Sequence, residues 1–420
     1  MPKFKHNTAY DYICYDGSMV FADGKIITVN TGSSSIKVGI FATDSEMILP
    51  ERSVSITNIG SSSSMLHTTH ASSEIVAQTI QAASYDDAIG ILLRKISEFV
   101  SYDKVVAVGH RVVHGGGIFA QATPLEIITD RDWETLSQFD PIHTQPSRQL
   151  AASFVDYFPA ARHVACFDTT FFHDLPEMAA VVPIPQRYSE VGVRRYGFHG
   201  LSYESLLAAF RARAGEVAAH GRVIMAHLGS GASVTALQNG KPIDTTMGFT
   251  PVSGIAMSTR SGSLDPTTFS FLHRKTGMSS DEFDHMVNFE SGLLGVSGIS
   301  GDMHALLQIE NDRPEAALAI DLFVYEVKKA IGMCSAVLGG VDSLIFSGGI
   351  GEQSVVLRAR ICQDLAYLGI NLNDAANDKN AFLISGESSR AGVHVIPANE
   401  ASIIARQTMK VVVGDEYGIK

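Results

Sequence analysis

The 420-residue chain reads as an α/β protein built from two related halves, on three observations. Short apolar runs alternate with longer segments of helical periodicity. One hairpin pattern, an apolar run, a small polar turn and a second apolar run, occupies residues 26–41 and returns at 223–237. The two turns, around Gly32 and Gly229, lie close to half a chain apart, as an internal duplication would place them.

Residues 1–24 read as an N-terminal extension ahead of a first strand at Ile26, with no apolar stretch of the secretory-signal kind. In the first hairpin, runs 26–29 and 36–41 flank Asn30, Thr31, Gly32, Ser33, Ser34 and Ser35, and Lys37 follows just inside the second run. Two residues would close a hairpin. A longer Gly/Ser turn lets backbone N–H groups converge on an anion and adds hydroxyl donors, so a phosphate cradle beside a cation is expected. It is not a P-loop, because the G-x-x-x-x-G-K-[ST] spacing is missing. Residues 58–74 are rich in Ser and Thr without a period and predict a surface loop, with His67 and His70 solvated.

Runs 105–108, 164–167, 223–226 and 344–346 predict further strands, each followed by Gly, Asp, His or Ser. The second Gly/Ser turn covers 227–233, and Asn239-Gly240 predicts a tight hairpin after it. Over Pro314–Leu338, the stripe Phe323, Val327, Ile331, Cys334 and Leu338 predicts a helix, ended by Gly339-Gly340. In LIFSGGIGEQS, a strand runs through Gly348, Gly349, Ile350 and Gly351 into a helix over 353–368, where a ligand could lie against backbone. A last helix is expected over 399–409.

Composition narrows the function. A 45% hydrophobic and 18% charged chain is globular, and its net charge of −12 argues against a nucleic-acid or anionic-membrane partner. A local basic pocket for a small anion stays open. Cys14, Cys166, Cys334 and Cys362 are far apart and form no C-x-x-C, so buried thiols are expected. No apolar run reaches membrane-spanning length, and a cytoplasmic location is the expectation.

Several polar residues stand out. Arg111 follows a strand in VGHRVVHGGG, and His199 lies among arginines, aromatics and glycines in RRYGFHG. Arg260 is surrounded by small residues in MSTRSGSLDP, and Asp168 ends a strand in CFDTTFF. Cations for phosphoryl oxygens, an acid and backbone cradles are the parts that phosphoryl transfer asks for.

NTGSSSIK, GHRVVHGG, FDTTF, RRYGFHG, HLGSGAS, DTTMGFTP, STRSGSLDP, SGGIGE and PANE occur in the order expected of acetate kinases, and the chain resembles that family over roughly residues 25–412. The resemblance implies two duplicated ribonuclease-H-like domains of the actin-like ATPase type, with the active site in the cleft between them. The expected domains are 25–168 with 399–420, and 169–398. It implies reversible transfer of the ATP phosphoryl group to acetate, giving acetyl phosphate and ADP with Mg²⁺, and a homodimer.

Carried over by motif, Asn30, Ser33, Ser35 and Lys37 resemble the cradle beside the metal and phosphoryl group, and Glu400 the carboxylate that positions Mg²⁺. Arg111 and Arg260 resemble the pair gripping the acetate carboxylate and the phosphoryl in flight. His199 and His143 resemble transition-state contacts, and Asp168 the residue usually called the catalytic acid/base. Val113, Ile142, Phe198 and Pro251 match the pocket for the substrate methyl. His227, Leu228, Gly229, Ser230 and Gly231, then Ser300, Gly301 and Asp302, then Gly348, Gly349, Ile350, Gly351 and Glu352 match nucleotide-contacting segments. An ionised carboxylate acceptor needs no general base, so Asp168 is expected to orient Arg111 or the metal shell.

The chain departs from the family pattern at Thr144-Gln145, Ser230, Ser253, Met303-His304 and Gln353. Met303 and His304 are the residues left to sandwich a purine. A different phosphoryl donor, such as another nucleotide or pyrophosphate, stays open, as do propionate as acceptor and a non-catalytic nucleotide-binding relative.

Overall fold

The computed structural model describes residues 12–15, 18–21, 23–32, 34–44, 46–61, 63–70 and 75–417. The chain forms two compact units, Met1–Thr170 with Asn399–Lys420, and Phe171–Ala398. Among the described residues the strands, in chain order, are β1 (Tyr12–Tyr15), β2 (Ser18–Phe21), β3 (Lys25–Gly32), β4 (Ser35–Ala42), β5 (Arg52–Thr57), β6 (Met65–His70), β7 (Val76–Thr79), β8 (Val105–Val112), β9 (Thr123–Pro124) and β10 (Arg162–Phe167). The second unit adds β11 (Arg222–Leu228), β12 (Ala232–Gln238), β13 (Lys241–Thr245), β14 (Ser343–Ser347) and β15 (Gly392–Val395).

The first unit's large sheet has the order β7-β6-β5-β4-β3-β8-β10-β9, and the second unit's sheet β13-β12-β11-β14-β15. Within the first, β5-β4-β3 is an antiparallel meander, and β8 and β10 extend it in parallel. In the second, β13-β12-β11 is the same meander, extended in parallel by β14 and β15. The same five-strand topology therefore occurs in both units, which is the duplication that the two hairpins predict.

Both hairpin tips are shorter than expected. β3 and β4 stay paired through Asn30 with Lys37, Thr31 with Ile36, and Gly32 with Ser35. Most of the supposed cradle is thus strand, and its small residues extend the ladder instead of looping out. In the second hairpin Leu228 pairs with Ala232, leaving Gly229, Ser230 and Gly231 as the turn.

Three further expectations change. Two paired strands, β1 and β2, precede the one starting at Lys25. Within 58–74, Met65–His70 is a strand pairing with β5, because cross-strand partners on both sides supply the order that local composition lacks. The helix expected over 353–368 is broken: one helix ends at Gln353, Ser354 caps a second over Val355–Cys362, and a single 3₁₀ turn covers Ala366–Leu368. The final helix is longer than expected, Glu400–Tyr417.

Each sheet is covered by helices. In the second unit the stripe on Pro314–Leu338 is buried as its spacing predicts, and the helix packs on β11, β12 and β13. In the first unit Glu400–Tyr417 packs across β3, β8 and β10. Gly109 on β8 permits this approach, since a Cβ there would lie 2.1 Å from Thr408 Oγ1 and 2.6 Å from Ile404 Cγ2. That close fit sets the start of the helix, and with it Glu400, beside the end of β3.

Candidate active site

In the first unit the polar residues gather at the C-terminal ends of β3, β8 and β10. Register sets this: Cys166 on β10 pairs with Arg111 on β8, so Asp168, just past β10, lies beside Arg111. The Asp168 amide donates to Val112 O at 3.1 Å, holding the chain on course as the strand ends. Arg111 Nε donates to Asp168 Oδ1 at 3.2 Å and Oδ2 at 3.1 Å, and Nη2 donates to Oδ2 at 2.5 Å. Nη1 donates to Asn30 Oδ1 and to the Thr31 carbonyl, both at 3.0 Å. Asn30 Nδ2 in turn donates to Glu400 Oε2 at 2.5 Å.

The electrostatics follow from burial against charge. Asp168 is 1% exposed. Burial pushes its carboxyl above the usual range, and Arg111 pulls it back through charge and hydrogen bonds. For Arg111, burial works against the charge, but Asp168 and Glu400 outweigh it and hold the guanidinium pKa above its ordinary value. Side-on, doubly hydrogen-bonded contact is the geometry of a charged pair. Four of the five guanidinium N–H groups point at these partners, and one Nη2 hydrogen has none among the described residues.

His143 is in the first turn of the helix Pro141–Tyr157. Its Nδ1 lies 2.9 Å from Asp140 Oδ1 and 3.0 Å from Oδ2, so a buried acid orients the ring. Burial alone would raise Asp140, but the His143 hydrogen bond and charge dominate and hold its carboxyl below the usual value. Lys37 is exposed and directly opposite Asn30, so the two side chains share one face of the sheet. Ser35 begins β4 opposite Gly32. Ser33 lies outside the described residues. Val113 is buried just beyond β8, and Ile142 is half-buried beside His143.

In the second unit the residues gather at the β11–β12 turn. His199 caps the helix Gly200–Ala214 from a left-handed backbone, φ +61°, a costly conformation for a side chain with a Cβ. Its Nδ1 is 2.8 Å from Ser233 Oγ on β12. The His199 and His227 rings lie 4.5 Å apart, and His227 Nδ1 is 2.7 Å from Ser202 Oγ. A Cβ on Gly231 would lie 3.1 Å from His199 Nε2 and 3.7 Å from Arg260 Nη1, so this glycine brings backbone against both. Arg260 Nη1 donates to Pro251 O at 3.3 Å. The Ser258 amide donates to Ser230 O at 3.1 Å, tying the arginine's segment to the turn. Phe198 and Pro251 are buried.

The remaining segments are local to this unit. Gly348 enters the helix Gly348–Gln353 with φ +75° and packs on Leu228, where a Cβ would lie 2.6 Å from the carbonyl oxygen. A Cβ on Gly229 would come within 3.9 Å of the Gly349 nitrogen, so the two Gly-rich turns are neighbours, with Ile350 and Gly351 next along the helix. Glu352 Oε1 accepts from Ser347 Oγ, Gly348 N and Ala398 N, and so holds this junction together. Ser300 Oγ accepts from Asp302 N, Asp302 caps the helix Met303–Ile309, and Gly301 passes close to the Ser258 carbonyl. Met303 is 5% exposed and packs inward, so it is not available to stack on a base, while His304 is exposed. Ser253 Oγ accepts from Gly248 N at 2.8 Å and closes the turn before Arg260.

Asp140, Ser202, Tyr203 and Ser233 also belong to these sets, and sequence reasoning did not single them out. Asp140 had a signal, an acid ahead of a helix and three residues before His143. The hydroxyls had none, because only tertiary pairing brings Ser202 and Ser233 to the histidines and Tyr203 to Ser233.

Comparison with known proteins adds an independent finding. The model of the Acetokinase family matches residues 25–406. An acetate kinase of Rhodopseudomonas palustris is 38% identical over 398 residues, 93% of this chain and 98% of that protein. A propionate kinase of Citrobacter rodentium is 36% identical over 396 residues, with 93% and 98% covered. The crystal structure of Porphyromonas gingivalis acetate kinase superposes with a TM-score of 0.80 at 32% identity, covering 93% of this chain and all of that one. With the α/β architecture, its repeated five-strand topology and the family match over nearly the whole length, the chain belongs to the acetokinase family.

Proposed function

We propose that this enzyme transfers the γ-phosphoryl group of ATP to a short-chain carboxylate, acetate or propionate, giving the acyl phosphate and ADP. The observation that carries the reading is the Arg111 network. A half-buried cation is held on one edge by Asp168 and at Nη1 by Asn30 and Thr31, and it keeps one N–H uncommitted among the described residues.

The acceptor carboxylate is ionised at neutral pH, since such acids titrate near pH 4 to 5. One of its oxygens attacks the γ-phosphorus, the bond from that phosphorus to the bridging oxygen breaks, and ADP leaves with the electron pair. No proton has to be removed, so Asp168 acts by orienting Arg111 and not as a base. The obstacle is anion attacking anion. Arg111, Arg260 and Lys37 offset that charge, and His199 offers a hydrogen-bond donor. Val113, Ile142, Phe198 and Pro251 supply apolar surface for the alkyl group. Gly229, Ser230, Gly231, Gly348 and Gly349 supply backbone against which phosphates can lie.

Among the described residues no group of three or more His, Cys, Asp or Glu forms a metal cage. Mg²⁺ is commonly held by one or two carboxylates together with substrate phosphates, and Glu400 at the head of its helix suits that role. When bound, Mg²⁺ neutralises phosphate charge. Asn30, with both ends of its amide engaged, fixes the Glu400 carboxylate that would hold the ion.

The test is a hydroxylamine trap for acyl phosphate. ATP, GTP and pyrophosphate are each offered with acetate, propionate and butyrate, with and without Mg²⁺. Hydroxamate from ATP with acetate or propionate supports the reading, and its absence with every pair refutes it.

A further inference from the structure

His199 is braced from behind by two buried hydroxyls. Its Nδ1 lies 2.8 Å from Ser233 Oγ, and Ser233 Oγ lies 2.7 Å from Tyr203 Oη. Ser233 and Tyr203 are both 0% exposed. The chain is built from two rigid elements: Tyr203 is one turn into the helix that His199 caps, and Ser233 is locked on β12 opposite His227. A Cβ on Gly231 would lie 3.1 Å from the other ring nitrogen, Nε2, and 3.7 Å from Arg260 Nη1.

Ser233 has one hydroxyl proton, so it donates to only one of its two neighbours and accepts from the other. A phenol is a stronger acid than an alcohol, and an unprotonated imidazole nitrogen is a stronger acceptor than an alcohol oxygen. Burial raises the Tyr203 pKa, which keeps the phenol protonated and able to donate. We infer that Tyr203 donates to Ser233 and Ser233 donates to His199 Nδ1, holding His199 as the neutral tautomer with its proton on Nε2. The groups packed around the ring favour the neutral form: Arg260 is cationic, and the His227 ring lies 4.5 Å away, tilted by 39°, with its own Nδ1 held by Ser202. A second imidazolium beside Arg260 would be repelled.

The inference rests on the phosphoryl-transfer reading for its consequence. Tyr203 and Ser233 are positioning residues that decide which nitrogen of His199 can donate to a phosphoryl oxygen. His199 then contributes a fixed hydrogen bond and not a full positive charge.

The experiment is histidine ¹⁵N NMR on the full-length protein near pH 7, with the His199 signals assigned by their loss in His199→Gln. The expected wild-type spectrum has an unprotonated-type Nδ1 and a protonated-type Nε2. In Tyr203→Phe, which keeps the ring and removes only the donor, the two shifts should move towards each other as the tautomers mix. There kcat should fall about tenfold, in line with loss of one buried hydrogen bond, with KM for the acid within twofold. Ser233→Ala should do the same more strongly. An Nδ1-protonated or doubly protonated His199 in the wild type overturns the inference, and so do unchanged shifts and kcat in Tyr203→Phe. The NMR result stands whether or not acyl phosphate is formed, so failure of the tautomer and failure of the proposed reaction are told apart.

Discussion

Asp168 grips Arg111 along one edge, with Nε and Nη2 both donating to its carboxylate and 2.5 Å separating Nη2 from Oδ2. The opposite side of the guanidinium is held by Asn30 and Thr31, so its plane is set before any substrate arrives. Asp168→Asn keeps the shape but loses the charge and one acceptor. We expect kcat to fall by about 10²-fold, the range of one lost transition-state contact. The pH dependence of the residual activity should not gain or lose a limb, because no proton transfer is assigned to this residue. Loss of the acidic limb in the kcat profile of Asp168→Asn would return it to the role of general base.

Arg358 is fully buried, with no carboxylate partner among the described residues. Its guanidinium donates to Asn377 Oδ1 and O, to Gly351 O and Glu352 O at 2.8 Å each, and to Asn380. It thereby ties the last carbonyls of Gly348–Gln353 to the 377–380 turn. Arg358→Met strands several buried acceptors and should lower stability by about 3 kcal/mol. If the Gly348 turn carries nucleotide, KM for ATP should rise several-fold in the folded variant while KM for acetate stays put. Urea unfolding and steady-state kinetics check the two parts separately.

His394 on β15 is buried between the Phe210 and Phe382 rings, at 4.9 and 4.8 Å. Burial pushes its pKa down to about 4. The folded value lies below the ordinary value of about 6.5, so the unfolded chain takes up the proton first. Stability from this group is complete above about pH 6.5 and drains away as pH falls towards 4. Between pH 7 and 5 the loss should be about 2 kcal/mol. In His394→Leu the fall in unfolding free energy over that interval should shrink by about the same amount. An unchanged slope would mean that the histidine titrates normally.

Gly109 carries the helix that bears Glu400. Gly109→Val would drive Thr408 and Ile404 off β8, costing about 1–3 kcal/mol of overpacking. Because the helix moves as a unit, the Mg²⁺ concentration for half-maximal activity should rise more than KM for acetate. Equal shifts in both would detach Glu400 from the metal.

How much was legible in the sequence depended on the range of the cause. The stripe from Phe323 to Leu338 declares itself because helix burial repeats every three to four residues. The repeated hairpins announced the shared topology because each is local in sequence. The hairpin tips misled for a physical reason. Asn30, Thr31 and Gly32 are small and polar, which resembles a loop, yet their backbone stays in the ladder while the Asn30 and Thr31 side chains meet polar groups elsewhere in the unit. The strand at Met65–His70 was invisible because its order comes from β5 and β7, not from its own residues. Arg111 and Asp168 stood out by type and position. Ser233 and Tyr203 could not, since a buried hydroxyl leaves no pattern until the fold brings it to a histidine.

The central claim is that the fixed Arg111 guanidinium allows a carboxylate to attack a phosphate. The most direct test is the rate of acetyl phosphate formation from ATP and acetate, trapped as hydroxamate, in Arg111→Ala against the unaltered protein. We predict a drop of about 10²- to 10³-fold with the fold intact by circular dichroism. Near-normal turnover in Arg111→Ala would contradict the account.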